Sequence, residues 1–448
     1  MPIKIEIIDF STNQVKSRVE AACRETVQEL KWEAGKTIGL KIIPDRGSGL
    51  RTNYIRFING ARMAVDFQRI GEQIRAVGEQ APQRARELVE LYKLAAALLE
   101  GEPDEIINVR RKAERVVEKF DNNLRCGIPL ENSLTSSYTL PGRISEGTLI
   151  AVDGSQIIPD LHGEVNFGLI NLGAVIIRGG DPGPPQIKIN SRLLYENQLY
   201  NETGMMGDLQ FSLLRDINER RWLAELAAES RAPVTALTDG PVELWGASRG
   251  EGWTDFKQSL EEYKQTLFHL ERLGVTVCGY VDNPAANLIT RFLETGLIEE
   301  DRLPNIRKEH PLRGVKDRVL FSAVLKSGER SGVFRLQSRT TREYTGGLAL
   351  HFFYLNVGRE ANPQLVRVEI PAWVAGNQDK LDDLQAVLVE QCRILGNRPY
   401  PYLLHRAHET ALVTIAEKEQ ITEMLLGELR RRGVAVGAPS PKSKLKSL

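Results

Sequence analysis

Cysteine is scarce in this 448-residue chain: Cys23, Cys126, Cys278 and Cys392 stand far apart, with no CxxC spacing. That excludes a zinc ribbon by pattern, argues against a disulfide framework and fits a reducing, cytoplasmic setting. An excess of one charge is lacking too. Lysine plus arginine and aspartate plus glutamate number 59 each, so any polyanion site has to be a local basic patch. No stretch approaches the ~18 apolar residues of a membrane span, and no membrane association is expected. The opening Met1-Pro-Ile-Lys-Ile-Glu-Ile-Ile-Asp9 reads as a strand and not as a signal peptide. No complete Gly-x-x-x-x-Gly-Lys-Ser/Thr loop is present, which argues against a nucleotide phosphotransferase. With six histidines and no paired thiols, a metal site would have to be built mainly from carboxylates.

What is present centres on Thr148-Leu-Ile-Ala-Val-Asp-Gly-Ser155, an apolar run closed by Asp153-Gly154. It reads as a buried strand with Asp153 at its carboxyl end, where open α/β sheets collect their ligands, and with Gly154 turning the chain sharply. Val234-Thr-Ala-Leu-Thr-Asp-Gly-Pro241 repeats the pattern and ends in Asp239-Gly240. If the two strands are neighbours, two carboxylates meet, and like charges at close range need a cation between them. Oxygen donors suit hard cations such as manganese or magnesium, which can neutralise a phosphodiester during hydrolysis.

A third acid is expected from the helical stretch 207–230. There Glu219 and Glu225 lie at opposite edges of the apolar stripe, and Arg215 with Glu219 also reads as a plain i,i+4 ion pair. After Tyr400-Pro-Tyr402, His405 and His408 are three apart and can share a helix face, as metal or phosphate contacts or as simple polar caps.

The order strand, meander, helix, strand, helix, strand is that of a ribonuclease H-like α/β fold: a mixed sheet flanked by helices. Residues 1–140 are expected to form a mostly helical region, a dimerisation or partner-docking arm or a packed subdomain, with a strand at 3–9, a helix over 18–32 and helices between 63 and 120 broken at Gln80-Ala-Pro82 and Gly101-Glu-Pro103. Residues 122–142 read as a linker. Residues 145–432 form the main domain. Within it, 165–177 reads as two strands split at Asn171-Leu-Gly173, 351–356 and 366–371 as a hairpin, and 381–395, 403–417 and 422–432 as the closing helical stretches. The basic tail 437–448 is expected to be disordered.

Six segments then carry a resemblance: Ala151-Val-Asp-Gly-Ser-Gln156, Leu237-Thr-Asp-Gly-Pro241, Ser327-Gly-Glu-Arg-Ser331, Phe352-Phe-Tyr-Leu-Asn-Val-Gly358, Arg367-Val-Glu-Ile-Pro-Ala-Trp373 and Tyr400-Pro-Tyr-Leu-Leu-His-Arg-Ala-His-Glu409. In this order, across about residues 147–416, they resemble the NurA nuclease family. The resemblance implies a manganese-dependent nuclease, with magnesium as the alternative metal. It would cut single-stranded DNA and resect duplex ends 5′ to 3′ as a homodimer on a HerA-type hexameric ATPase. By motif, Asp153, Glu219, Asp239 and His408 match the family's metal-binding residues, with Glu225 still open in place of Glu219. Tyr400 matches its late tyrosine, His405 maps to no family role, and Asp282 after the fifth strand is given none. Arg330 or Arg406 would hold the DNA backbone. The competing reading is a non-catalytic scaffold that clamps DNA or the ATPase.

Overall fold

The computed structural model describes the strand segments 3–9, 14–21, 38–43 and 53–57, and residues 66–434 apart from 143–145, 161–162, 202–203, 247–252 and 397. The chain divides into two compact units, Met1–Ala85 and Arg86–Leu448. In the first, β1 (Ile3–Asp9), β2 (Gln14–Ala21), β3 (Ile38–Ile43) and β4 (Asn53–Phe57) pair antiparallel in the order β2-β1-β3-β4. The strand expected at 3–9 is there. The helix expected from residue 18 is not: residues 18–21 belong to β2, where Gln-Val-Lys-Ser-Arg-Val alternates with the period of a strand. The rest of that expected helix, like the basic tail, lies outside the described residues.

Helix α1 (Phe67–Leu99) runs unbroken through Pro82, and α2 (Pro103–Lys119) begins with its proline in the first turn. The break at 101–103 is therefore found and the one at 80–82 is not. The Gln, Arg, Glu and Ala residues around Pro82 are strong helix formers, which offset its missing hydrogen bond. The expected linker is structured as well. It supplies β5 (Cys126–Pro129), wholly buried, and β6 (Ser137–Tyr138) to the large sheet.

The centre of the second unit is β7 (Thr148–Ile157), β8 (Phe167–Arg178) and β9 (Gln186–Tyr195), an antiparallel meander. A small hairpin, β10 (Tyr200–Asn201) and β11 (Gly204–Met205), leads to α3 (Asp208–Ala228). Then follow β12 (Val234–Asp239), α4 (Trp253–Arg272), β13 (Thr276–Val281), α5 (Leu288–Leu297) and α6 (Asp317–Val324). After them come β14 (Arg330–Ser331), β15 (Phe334–Gln337), the antiparallel hairpin β16 (Leu350–Asn356) and β17 (Leu365–Pro371), and the helices α7 (Ala372–Ala375), α8 (Gln378–Ile394), α9 (Tyr402–Ala411) and α10 (Ile415–Arg431).

The sheet runs β5-β15-β16-β17-β13-β12-β7-β8-β9, with β14 and β6 off this path. Strand β12 is parallel to both β7 and β13, and the stretch from β9 to β13 has the ribonuclease H-like order expected. Over β7, β12 and β13 both faces are covered. Ile150, Val152, Ala236 and Val277 pack with the residues of α3 and α4, whereas Ala151, Leu237, Cys278 and Tyr280 pack with those of α8 and α9.

Two local expectations are corrected. Strand β7 does not end at Asp153 but continues four residues further, with Gly154 paired to Leu172 inside the ladder and not in a turn. Strand β8 is one strand and not two. Asn171 interrupts its apolar pattern yet stays in the ladder, because its amide donates to the Ala411 carbonyl at 2.8 Å and its oxygen accepts from Ser191 at 2.6 Å.

Candidate active site

The parallel pairing of β7 with β12 ends at Ala151 opposite Leu237, and two residues further along each strand stand Asp153 and Asp239. Side chains alternate along a strand, so both aspartates take the face that Ala151 and Leu237 share, toward α9. Their proximity shows in Asp239, whose carboxyl is pushed up by burial and further by Asp153.

Helix α3 brings the third acid over the opposite face. A methyl group at Gly154 would lie 2.5 Å from Glu219 Oε1 and 2.9 Å from Arg215 Cγ, so the bare glycine is what lets this helix close on β7. Glu219 is therefore placed beside Asp153. Burial, Asp216 and Asp153 together raise its carboxyl to about 8. Glu225 lies elsewhere, in a groove with Arg221 and Glu262 between α3 and α4, so of the two glutamates Glu219 is the one near Asp153. Arg215 Nε comes within 3.1 Å of Glu219 Oε1 but is not aimed along a hydrogen bond, so both atoms are buried without a hydrogen-bond partner.

Helix α9 closes the other side. His408 donates from Nδ1 to Asp153 Oδ2 at 2.7 Å. The Tyr400 hydroxyl hydrogen-bonds the Asp239 carboxylate, and its ring stands edge-on to Tyr280 with centroids 5.5 Å apart. The helix is seated by Gly173, the ladder partner of Asp153, across which its backbone passes. Its last carbonyl, on Ala411, accepts from Ser155 Oγ at 2.5 Å and from the Asn171 amide, so a helix end that would otherwise be unpaired is fixed to the sheet.

Among the described residues no three histidine, cysteine, aspartate or glutamate side chains stand as a ready-made metal cage. Each acid has its own local partner: His408 on Asp153, Tyr400 on Asp239 and Arg215 beside Glu219. The chemistry of the donor set nonetheless fits a hard divalent cation. Asp153 bears on both Asp239 and Glu219, and one buried carboxylate oxygen on Glu219 lacks a hydrogen-bond donor.

The model of the NurA domain matches residues 147–413, more than half of the chain. The chain belongs to the NurA family. Membership makes it a nuclease. A search of curated proteins finds no match. Among solved structures, this NurA-family chain is similar to the NurA nuclease from Sulfolobus solfataricus at 11% identity and a TM-score of 0.39, covering 66% of this chain and 88% of that one. It is also similar to Marinitoga piezophila Argonaute in complex with 5′ OH guide RNA and target DNA, at 14% identity and a TM-score of 0.25, covering 61% of this chain and 30% of that one. The catalytic domain of human Endonuclease V gives 11% identity and a TM-score of 0.26, covering 63% and 85%. Among the described residues no helix is long and apolar enough to cross a membrane.

Of the residues singled out by sequence in this NurA-family chain, His408 meets Asp153, Tyr400 meets Asp239, and Asp239 and Glu219 each lie near Asp153. His405 does not join them and instead lies 3.4 Å from Glu409. Asp282 stays on the exposed rim, where Gln364 reaches it at 3.4 Å. One of the two expected backbone-holding arginines is corrected: Arg330 is 1% exposed, with its guanidinium 4.0 Å over the Tyr138 ring and 3.3 Å from Asp382, whereas Arg406 forms an exposed ion pair with Glu409. Sequence reading missed the seating of α9 by Gly173 and Asn171. The one available signal was a polar residue and a glycine within an otherwise apolar strand.

Proposed function

We propose that this chain is a divalent-metal-dependent deoxyribonuclease that cuts single-stranded DNA and digests duplex ends in the 5′-to-3′ direction. The observation that carries the reading is Asp153 and Asp239 side by side on neighbouring parallel strands, with His408 and Tyr400 against them and Glu219 reaching Asp153 from α3. Asp153, Glu219 and Asp239 would hold manganese, or magnesium in its place, and His408 would complete the set. A divalent cation bound there supplies an activated water and balances the charge that builds on a phosphodiester.

The protein's own part is positioning. Tyr400 fixes the Asp239 carboxylate through its hydroxyl, and with its ring edge against Tyr280 it acts here as an orienting group. His408, with Nδ1 committed to Asp153, keeps Nε2 for the scissile phosphate or for a proton. The family supports the remaining parts of the proposal: a homodimer docked on a HerA-type hexameric ATPase that drives DNA end resection for recombination.

The test is cleavage of single strands and blunt duplexes labelled at either end, in manganese, in magnesium and in chelator. Wild-type protein should cut only with a divalent cation, and Asp153→Ala should bind DNA but not cut. Metal-dependent cutting by purified Asp153→Ala would overturn the assignment, and DNA binding without cleavage by wild type would point to a clamp.

A further inference from the structure

Beside the carboxylate centre stands a cation with unspent donors. Arg215 sits four residues before Glu219 on α3, one helical turn away and on the same side of the helix. Its Nη2 donates to Asp216 at 2.8 Å, which fixes the plane of the guanidinium. Its Nε faces Glu219 at 3.1 Å without a hydrogen bond, and among the described residues no protein group engages Nη1. The side chain is about one-third exposed, and its stem lies against Gly154, directly beside Asp153. The next residue, Arg220, is buried and spent on the carbonyls of Asp216 and Pro241, so it cannot serve in the same way.

An arginine held against a carboxylate purely for structure would spend its donors on it. Arg215 spends one hydrogen of Nη2 on Asp216 and buries Nε against Glu219, which leaves Nη1 and the second hydrogen of Nη2 as its end-on pair of donors. A planar fork of this kind matches two non-bridging oxygens of a phosphate. We propose that Arg215 is a catalytic residue that grips the non-bridging oxygens of the scissile phosphodiester and stabilises the charge that builds on them during cleavage. This rests on the reading of the centre as a phosphodiesterase. It supplies the cationic contact to the strand for which Arg330 is too deeply buried.

Two readouts separate this role from that of an i,i+4 partner of Glu219. The first is the turnover number on single-stranded DNA. Arg215→Gln should lose at least a hundredfold, and Arg215→Lys should recover only a small part, because an ammonium cannot reproduce the bidentate grip. The second is the salt dependence of binding to a short phosphorothioate-linked single strand, which keeps the charge and resists cleavage. Arg215→Gln should lower the slope of log affinity against log salt by about 0.7, the value of one phosphate contact on a single strand, and Arg215→Lys should restore it. An unchanged slope in Arg215→Gln, or a turnover within threefold of wild type, would overturn the proposal. If wild-type protein itself does not cut DNA, the nuclease reading fails first, and the binding slope still reports on Arg215.

Discussion

Replacing Gly173 by alanine should disable the centre without touching any of its polar groups. Gly173 faces Asp153 across the β7–β8 ladder, and α9 lies directly over it. A methyl group there would meet Ala411 N at 2.6 Å, Ala407 O at 2.8 Å and Thr410 C at 2.8 Å. All three are backbone atoms of one helix, so no side chain can swing aside. To bring the shortest contact out to ordinary separation, at 3.4 Å, α9 has to retreat by about 0.8 Å. His408 rides on that helix, and its 2.7 Å bond to Asp153 would stretch to the limit of a hydrogen bond. The overpacking costs ~1 to 3 kcal/mol of stability. Misplacement of a reacting group by ~1 Å typically costs on the order of a hundredfold in rate. Initial-rate cleavage of a fluorescent single strand, run beside a urea unfolding curve, measures both. A Gly173→Ala protein that is folded and cuts at the wild-type rate would refute the argument that α9 is seated by the absence of a side chain.

Three further outcomes are expected. Burial, Asp216 and Asp153 raise Glu219 to about 8, so between its ordinary value of 4.5 and about 8 the folded chain keeps a proton that the unfolded chain has released. Metal-free stability should therefore fall as pH rises through that window, and Glu219→Gln should flatten the fall; equal slopes in urea midpoints at pH 5 and pH 8.5 would count against it. Glu219→Gln should abolish cleavage while Glu225→Gln, in its separate groove, keeps it, and steady-state rates for the pair decide which edge of α3 matters. Asp317 accepts from the amides of Ile289 and Thr290, the Thr290 hydroxyl and the Tyr354 hydroxyl, all at 2.7 to 2.8 Å. Asp317→Ala should cost roughly 3 kcal/mol or more, and an unshifted denaturation midpoint would contradict it.

The two aspartates were legible in the sequence because each closes an apolar run, and a strand's period of two places them on one face once the strands are neighbours. The choice between Glu219 and Glu225 was not, since both border the apolar stripe. What separates them is the missing side chain at Gly154, a property of the strand that α3 packs against. The ends of β7 and β8 were misread for a related reason. Asp153, Gly154 and Asn171 break the apolar pattern locally, but ladder pairing and the contacts made by α9 hold them in the strands. Arg330 could not be placed from sequence, because its neighbours Tyr138 and Asp382 come from distant segments. The N-terminal strand β2 was hidden under a charge pattern that suits an exposed helix and an exposed strand alike.

On the proposed reading, the acids from β7, α3 and β12 serve one divalent cation site. Anomalous diffraction from crystals soaked in manganese tests it most directly. A peak is expected within about 2.5 Å of oxygens from Asp153 and at least one of Glu219 and Asp239. A peak elsewhere, with these three carboxylates unligated in a protein that still cuts DNA, would contradict it.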